Sequence, residues 1–303
     1  MLPIQRYLKK PSLIIQGLLV KFNFLFPDRI YLKLLYRLKL GRKLDLKNPK
    51  RFTEKLQWLK LYDRKPNYPK LVDKAEVKDY VADFIGDEYI IPTLGVWNQP
   101  EDIDWDNLPD RFILKTTHGG GGSGVVICND KSQLDKKLAI DKLNRSMKQD
   151  IYATLREWPY KDIPHRVIAE QLLDKDSQYD DIPDYKFYCF NGIPKVVLIA
   201  TNRFTDHNFN YYDMAFNKLN ITSSAGHNAA IVFNKPSRFE EMKEIASKLS
   251  QGFAHIRVDL YYSNNKIYFG ELTFYDSSGF DNLSSDSVDL EWGNWINLPQ
   301  KNC

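Results

Sequence analysis

The sequence contains little cysteine and lacks a long uninterrupted apolar run. Its three cysteines are odd in number, far apart and without CxxC spacing: Cys128, Cys189 and Cys303. This pattern argues against a disulfide scaffold or a zinc site and is typical of a reducing cytoplasm. The longest apolar stretch, residues 13–26, contains Gln16, Lys21 and Asn23, which makes it a poor membrane span. A basic start precedes it, but no small-residue cleavage site follows, so we expect a cytoplasmic protein.

Charge is distributed unevenly, although the whole chain carries only +4. Residues 1–64 contain 16 Lys and Arg against four Asp and Glu, a net +12, whereas the remainder contains 27 against 35, a net −8. One interpretation is a helical element that packs on an acidic body with its basic side chains facing solvent. The other is a surface that contacts an anionic partner, either lipid headgroups or an acidic glycan. We expect no nucleic-acid partner, because the aromatic residues lie in apolar runs and not between basic residues.

The first third of the chain has the periodicity of helices. Leucines spaced by three and two indicate an amphipathic helix within residues 29–46 that ends at Gly41. Thr53 is a candidate cap for a second helix that runs through Tyr62, and a third helix is predicted over residues 70–85.

From residue 111 onward, short apolar strands alternate with loops and two further helices at 132–149 and 238–251. The Asn-Asn at 264–265 indicates a hairpin turn, and no repeat of 20 to 50 residues is present. The fold class is therefore α/β or α+β with antiparallel elements. We divide the chain into a basic helical N-terminal region, a connecting segment, a smaller subdomain and a C-terminal subdomain: residues 1–64, 65–110, 111–175 and 176–303.

A glycine-rich segment, Lys115-Thr-Thr-His-Gly-Gly-Gly-Gly-Ser-Gly124, lies between two predicted strands. Consecutive glycines expose backbone N–H groups to a polyanion, and the lysine at the strand end adds a positive charge. The segment is neither a Walker loop nor a GxGxxG turn, because the GK[ST] ending is absent and a strand follows instead of a helix. A flexible hairpin tip is the alternative interpretation.

Charged residues alternate along two strands near the C-terminus. Arg257 and Asp259 share one face of the first strand, and Glu271 and Thr273 share a face of the second. A hairpin at 264–265 places Asp259 opposite Glu271 or the residue before it, so that two carboxylates meet. Two hard oxygen ligands together with substrate phosphates suit Mg²⁺. The alternative is a surface pattern of charges in which Arg257 offsets the repulsion between the carboxylates.

Two weaker polar patterns complete the set. Asp184 and Lys186 alternate along a strand, and Arg203 follows the next one. Upstream, Glu170 to Leu173 passes from a strand into a polar loop. Each pattern is unspecific alone, but their order along the chain resembles that of the ATP-grasp superfamily, whose members hold ATP between two antiparallel sheets.

This resemblance implies a role for each pattern in binding ATP. Lys74 and Lys115 are similar to lysines on the nucleotide phosphates, residues 119–124 to the flap over them, and residues 170–173 to the hinge whose backbone contacts adenine. Asp184 is similar to a ribose ligand, and Lys186 to the basic residue beside the γ-phosphate. The implied contacts to ATP are Lys74, Lys115, Gly119, Gly120, Gly121, Gly122, Ser123, Glu170, Gln171, Leu172, Leu173, Asp184 and Lys186.

The same resemblance implies the metal ligands and the catalytic residues. The C-terminal strands are similar to the Arg-x-Asp and Glu-x-Asn pairs that hold the transition state and Mg²⁺, which makes Asp259, Glu271 and Thr273 the metal ligands. Thr273 departs from the usual Asn. Arg257, with Arg203 or Lys186, would bind the acceptor carboxylate, for which the fork of an arginine is suited. His118, at the root of the flap, either relays a proton from the amine or packs on a Trp or Tyr ring.

Four longer segments resemble one branch, the TupA-like ATP-grasp proteins of teichuronopeptide, capsular and O-antigen polysaccharide synthesis. They are NPKRFTEKLQW, RFILKTTH, DYKFYCFNG and FGELTF, at residues 48–58, 111–118, 184–192 and 269–274. The resemblance implies an ATP- and Mg²⁺-dependent, ADP-forming ligase that joins a uronic acid of a glycan to an amino acid or amine through an acyl phosphate. It would act in the cytoplasm or at the inner face of the membrane.

Two other functions are compatible with a nucleotide site. A glycan kinase would need an aspartate in an HRD-like setting, and the sequence contains none. A noncatalytic nucleotide-binding scaffold in polysaccharide assembly would not need the full set of Lys74, Lys115, Asp259 and Glu271.

Overall fold

The computed structural model describes residues 11–175, 181–201, 208–224, 227–230, 232–283 and 285–301. A helical N-terminal region precedes a four-stranded sheet and a seven-stranded sheet. Within the described ranges, no helix is both long and apolar enough to cross a membrane.

The N-terminal region begins with a helical hairpin. Helix α1 spans Pro11–Lys21 and helix α2 spans Asp28–Leu40. The two helices pack through a small apolar cluster: Leu19, Tyr31 and Leu35. The predicted end of α2 is confirmed, because Gly41 adopts a left-handed conformation with φ of 72° and its N–H donates to the carbonyl of Arg37.

Helix α3 spans Phe52–Tyr62, but the predicted cap at Thr53 is wrong. The helix begins two residues before the predicted start, with Arg51 in the capping position, and Glu54 Oε2 accepts the Arg51 N–H at 3.1 Å. The Thr53 hydroxyl and N–H instead donate to the buried carboxylate of Asp289, each at 2.9 Å. Thr53, which the local pattern assigned to the cap, is therefore engaged in a tertiary contact with Asp289.

The helix predicted over residues 70–85 is two helices, α4 at Tyr68–Val72 and α5 at Val77–Ile85. Asp73 separates them, because its carboxylate accepts the N–H groups of Ala75 and Glu76 at 2.8 and 3.1 Å. Such side-chain bonds to the backbone compete with helical ones. The turn leaves Lys74 outside both helices.

The smaller sheet contains strands β1 (Thr93–Trp97), β2 (Phe112–Thr116), β3 (Val125–Cys128) and β4 (Val167–Gln171) in the order β1-β4-β2-β3, all antiparallel. Helix α6 (Lys136–Met147) packs against β2 and β3, and α7 (Ile151–Leu155) follows it. Strand β1 lies before residue 111, so the sheet contains strands from both the connecting segment, residues 65–110, and the smaller subdomain, residues 111–175.

The larger sheet has the order β11-β10-β5-β6-β7-β8. Its strands are β5 (Asp184–Phe190), β6 (Ile193–Thr201), β7 (Asn208–Asp213), β8 (Lys218–Leu219), β9 (His227–Asn228), β10 (His255–Ser263) and β11 (Lys266–Thr273). Pairing is antiparallel except for β9, which runs parallel to β7. The predicted hairpin turn is confirmed, since Asn264 and Asn265 have φ of 50° and 58°.

Helices cover both faces of the larger sheet near its centre. Helix α8 (Phe239–Leu249) lies against β5, β6 and β10, and α9 (Asp286–Trp295) packs on α3. On the α9 face, Trp292 contacts the rings of Tyr188 and Phe190. Double coverage explains why every residue of β5 is buried.

Candidate active site

Three neighbouring strands bring the predicted charged residues together. Strand β10 pairs with β5 on one side and with β11 on the other. Asp259 lies opposite Lys186 of β5 and opposite Glu271 of β11, which confirms the predicted register. The ladder shifts immediately after this pair, so that Gly270 has no partner on β10. A β-bulge of this kind re-aims the side chains beside it and is common next to functional sites.

The charged side chains on these strands form one buried network. Lys186 Nζ donates to Asp184 and to Asp259, both at 2.6 Å. Arg257 binds Asp259 with two parallel hydrogen bonds of 2.7 Å, and its remaining terminal nitrogen contacts Asp276. Asp259 is only 1% exposed, which excludes the interpretation of this pattern as surface charges.

Burial and neighbouring carboxylates act in opposite directions on Arg257. Removal from water lowers the pKa of a cation, but the carboxylates of Asp259 and Asp276 outweigh this and hold the pKa of Arg257 well above its ordinary value. The guanidinium is therefore a permanent positive charge. Paired bidentately with Asp259, it has one fixed orientation.

Glu271 is the more exposed of the two carboxylates in the predicted metal site. Its side chain is 34% exposed, and Arg257 and Lys74 approach it only to 3.4 Å. Thr273 lies two residues along the same strand, opposite Arg257. In the part of the chain that the structure describes, no group of three or more His, Cys, Asp or Glu is placed to hold a metal by itself. The oxygen donors predicted for the metal remain two carboxylates and a hydroxyl, a set that Mg²⁺ would complete with water and phosphate oxygens.

Lys74 joins the smaller and the larger sheet at this point. Its ammonium group donates to the carbonyl of Gly119 in the glycine-rich loop at 2.5 Å and lies 3.4 Å from Glu271. Its own N–H donates to the carbonyl of Thr117 at 3.0 Å. The residue implied as a phosphate ligand therefore stands between the implied flap and the implied metal ligand.

Glu170 lies between two lysines on the inner side of the smaller sheet. Its carboxylate contacts Lys115 at 2.7 Å and Lys78 at 2.5 Å. Burial acts to raise the pKa of Glu170, but the two ammonium groups outweigh it and lower that pKa. Burial also acts to lower the pKa of Lys115, and the Glu170 carboxylate outweighs it, so that this pKa is raised. Both shifts favour the charged forms of Glu170 and Lys115.

The glycine-rich loop has a packed base and an open tip. A Cβ on Gly119 would lie 2.2 Å from Thr116 Oγ1, and one on Gly124 would lie 2.3 Å from Ser146 Oγ. Nothing lies within 4 Å of the corresponding position on Gly120 or Gly121. The base therefore needs glycine for packing. The tip instead leaves its backbone accessible, as a phosphate-binding flap requires.

The predicted hinge leads from the smaller to the larger sheet. Gln171 N–H donates to the carbonyl of Pro92 at 3.0 Å, and Leu172 and Leu173 are half-buried. The carbonyl of the next residue, Asp174, accepts the Ser263 hydroxyl at 2.5 Å. Arg203, the third predicted catalytic residue, lies outside the described residues.

His118 packs at the root of the loop. Its ring stacks on that of His165, with centroids 3.5 Å apart and planes at 7°, so its partner is a histidine and not one of the other aromatic residues. Burial and the neighbouring ring lower the pKa of His118 to about 4. A neutral, stacked imidazole is a structural contact between the loop and the segment before β4.

The sequence profile of the family described as TupA-like ATPgrasp matches residues 54–297. The chain belongs to this family. Both the strands of the charged network and the glycine-rich loop lie inside the matched range. The predicted family is therefore confirmed, and the mixed α/β fold with two largely antiparallel sheets agrees with the prediction.

Solved structures of ATP-grasp ligases resemble this TupA-like chain at low identity. The D-alanine–D-alanine ligase of Bacillus anthracis complexed with ATP has 14% identity and a TM-score of 0.39, covering 68% of this chain and 54% of that one. The corresponding ligase of Helicobacter pylori has 16% identity and a TM-score of 0.42, covering 82% and 70%. The ligase PsnB, complexed with a minimal precursor, Mg and ADP, has 14% identity and a TM-score of 0.39, covering 81% and 62%. The chain thus spans about half the length of the first of these. Among curated proteins, none matches this chain.

ATP and Mg²⁺, the predicted cofactors, are the groups bound in such structures, and the residues of this TupA-like site fit them. Cations suited to phosphates lie on the turn before α5, on β2 and on β5: Lys74, Lys115 and Lys186. Carboxylates suited to a hard cation lie opposite each other on β10 and β11. Each of these cations is 15% exposed or less, in surroundings where charge interactions are strong.

Sequence reasoning missed Lys78 and Asp276. Lys78 follows Lys74 by four residues, a spacing that could have placed both on one side of the chain, and it also donates to the Ile91 carbonyl at 2.7 Å. Asp276 begins a turn in which Ser277, Ser278 and Gly279 all have positive φ. Non-glycine residues in this conformation cluster at functional sites. No local sequence motif predicts the turn that begins at Asp276.

Proposed function

We propose that this TupA-like protein uses ATP to activate the carboxylate of a uronic acid as an acyl phosphate and transfers it to the amine of an amino acid or another amine. The uronic acid belongs to a surface polysaccharide or its precursor, and the reaction takes place in the cytoplasm or at the inner face of the membrane. The observation that carries the proposal is the buried network of Arg257, Asp259 and Lys186, which adjoins Glu271, Lys74 and the glycine-rich loop.

Arg257 orients the acceptor in this proposal. Its guanidinium is fixed by Asp259 and Asp276, and its edge toward Glu271 contacts that carboxylate only at 3.4 Å. This loosely engaged edge is the part of the fork that can receive a substrate carboxylate. Lys186, held by Asp184 and Asp259, adds a second positive charge at a distance fixed by the sheet.

Lys74, Lys115 and the tip of the glycine-rich loop hold the triphosphate. Asp259 and Glu271 would hold Mg²⁺, with the hydroxyl of Thr273 beside them; the metal supplies neutralisation of charge on the transferred phosphoryl group. Because Lys74 contacts both the loop and Glu271, closure of the loop excludes water from the site while the activated carboxylate waits for the amine.

The direct test measures ADP release with a panel of uronic acids and amines. ADP and phosphate should form only when both are present, and ¹⁸O in the acceptor carboxylate should appear in the phosphate. Hydroxylamine should replace the amine and trap a hydroxamate. The matched control is the neutral sugar corresponding to each uronic acid, which should release no ADP because Arg257 loses its anion.

Three outcomes would contradict the proposal. AMP and pyrophosphate would indicate adenylation. ADP together with a stable sugar phosphate, independent of any amine, would favour a glycan kinase. Binding of ATP without turnover on any acceptor would favour a nucleotide-dependent scaffold in polysaccharide assembly.

A further inference from the structure

The helical hairpin of α1 and α2 exposes an unusual number of large apolar side chains. Of 15 exposed large hydrophobic residues in the described part of the chain, eight lie between residues 14 and 34. We call them the apolar ridge: Ile14, Ile15, Leu18, Phe22, Phe24, Leu25, Ile30 and Leu34. Concentrated exposed patches of this kind are rare on soluble proteins and mark interaction sites.

Helical spacing groups the residues of the ridge within each half of the hairpin. Residues 14, 18 and 22 are four apart, as are residues 30 and 34, so each set lies on one side of the chain. Leu19, Tyr31 and Leu35 are instead buried between the helices and do not contribute to the exposed ridge. At the turn, Phe24 and Leu25 are 74% and 64% exposed and form the tip.

Basic residues flank the ridge, and among the described residues no acidic side chain forms a salt bridge with Arg29, Lys33 or Arg37. Arg29, Lys33 and Arg37 follow one another at every fourth position of α2 and are exposed. The one acidic residue between positions 11 and 44 is Asp28. It faces inward, where Arg64 and Arg156 bind it at 2.7 and 3.0 Å. The hairpin therefore presents apolar and positively charged groups together.

We propose that the apolar ridge docks this protein on the surface of an anionic lipid bilayer. An acidic glycan would satisfy the basic residues but not eight exposed apolar side chains. A second copy of the chain would satisfy the ridge but would bring two strongly basic regions together, each with +12 over residues 1–64. A bilayer with anionic headgroups satisfies both.

The hairpin lies on the bilayer and does not cross it. Helix α1 has 11 residues, about 17 Å at the rise of an α-helix, against about 30 Å of hydrocarbon. Phe24 and Leu25 enter the boundary between headgroups and acyl chains, and Arg29 and Lys33 remain among the phosphates. The docking does not depend on the reaction proposed above.

The test is sedimentation of the full chain with vesicles of phosphatidylcholine alone and with vesicles that also contain phosphatidylglycerol. Binding is expected to the anionic vesicles and to weaken with salt. Phe24→Ser with Leu25→Ser should reduce partitioning roughly tenfold or more, because two large apolar side chains no longer leave water. Arg29→Gln and Lys33→Gln should each reduce it about fivefold.

Matched controls separate docking from folding and from general charge. Ile193→Ser with Val232→Ser removes two exposed apolar side chains, 55% and 70% exposed, that lie outside the hairpin in the C-terminal part of the chain. Lys137→Gln with Lys148→Gln removes two exposed charges from α6 and its end. Both should partition as the unchanged protein does, and all variants should keep its melting temperature.

The proposal is overturned if the unchanged chain does not sediment with anionic vesicles, or if the tip variant sediments as well as its control. A self-associated chain that the tip variant converts to a monomer, with no vesicle binding, would assign the ridge to a second copy instead.

Discussion

Asp259→Asn and Glu271→Gln form a matched pair that tests the charged network, because each removes one negative charge and keeps the side-chain shape. The two positions face each other across β10 and β11 but differ in surroundings. Asp259 is 1% exposed and accepts hydrogen bonds from Arg257 and Lys186 at 2.6 to 2.7 Å. The Glu271 side chain is 34% exposed, and its cations lie 3.4 Å away.

These surroundings predict different losses of stability. Removing one partner of a buried ion pair costs about 3–5 kcal/mol. Lys186 keeps Asp184 and Arg257 keeps Asp276 in the Asp259→Asn variant, so we take the lower end, about 3 kcal/mol. For a chain of this size that lowers the melting temperature by about 6 °C, at about 2 °C per kcal/mol. Glu271→Gln weakens only partly solvated contacts worth at most about 1 kcal/mol, or about 2 °C.

Calorimetry of the two variants at pH 7 measures these shifts, and ADP release measures activity in parallel. Both variants should lose turnover, because each removes a proposed metal ligand. The network is misassigned if Asp259→Asn melts with the unchanged protein. It is also misassigned if the two variants are destabilised equally, since burial would then not distinguish the carboxylates.

Three further changes test the remaining parts of the site and its support. Burial lowers the pKa of His255 to about 3. The unfolded state therefore binds more protons than the folded state below pH 6.5, and stability falls on acidification. His255→Phe should reduce the dependence of the unfolding free energy on pH by about 1.4 kcal/mol per pH unit, measured in melts between pH 6.5 and 4. Gly119→Ala places a Cβ 2.2 Å from Thr116 Oγ1 and should cost about 1–3 kcal/mol in thermal unfolding, whereas Gly120→Ala, with nothing within 4 Å, should not. Arg257→Lys keeps the charge but loses the bidentate geometry; ADP release should fall about a hundredfold, and activity within tenfold of the unchanged protein would contradict the proposed role.

The elements that sequence predicted best are those fixed by local pattern. Strands β10 and β11 flank an Asn-Asn turn, so counting residues from that turn placed Asp259 opposite residue 270 or 271, and the bulge at Gly270 makes Glu271 its partner. The elements predicted wrongly depend on distant partners. Thr53 does not cap α3 because Asp289, far along the chain, binds it. The helix over residues 70–85 is interrupted by a side-chain bond of Asp73 that apolar periodicity does not detect.

The same division applies to the site. Lys115 was selected as a candidate because it adjoins the glycine-rich segment, and Asp259 and Glu271 because charged residues alternate along two paired strands. Lys74 was selected only through the resemblance to the ATP-grasp superfamily. These patterns and this resemblance were not enough to show which carboxylate each cation contacts. That Lys115 binds Glu170, or that Arg257 binds Asp276, depends on how the sheets and the turn after β11 pack.

The turn after β11 connects the charged network to the N-terminal region. Lys60 of α3 is fully buried and donates to the carbonyl and the hydroxyl of Ser278 at 2.8 and 2.7 Å. Gln57, one helical turn before it, donates to the carbonyls of Ser278 and Gly279, both at 3.0 Å. These bonds hold residues with positive φ, a conformation that persists only where its surroundings determine it.

Helix α3 is therefore a structural support for Asp276, and through Asp276 for the orientation of Arg257. Burial lowers the pKa of Lys60 to about 7, so near neutral pH the strength of this support depends on protonation: the charged ammonium donates to Ser278, and the neutral amine donates more weakly. The segment 48–58, which belongs to the TupA-like resemblance although it lies far from the strands in sequence, ends two residues before Lys60. The resemblance of this segment to the family thus has a physical basis, because its Gln57 stabilises the turn that lies beside the charged network.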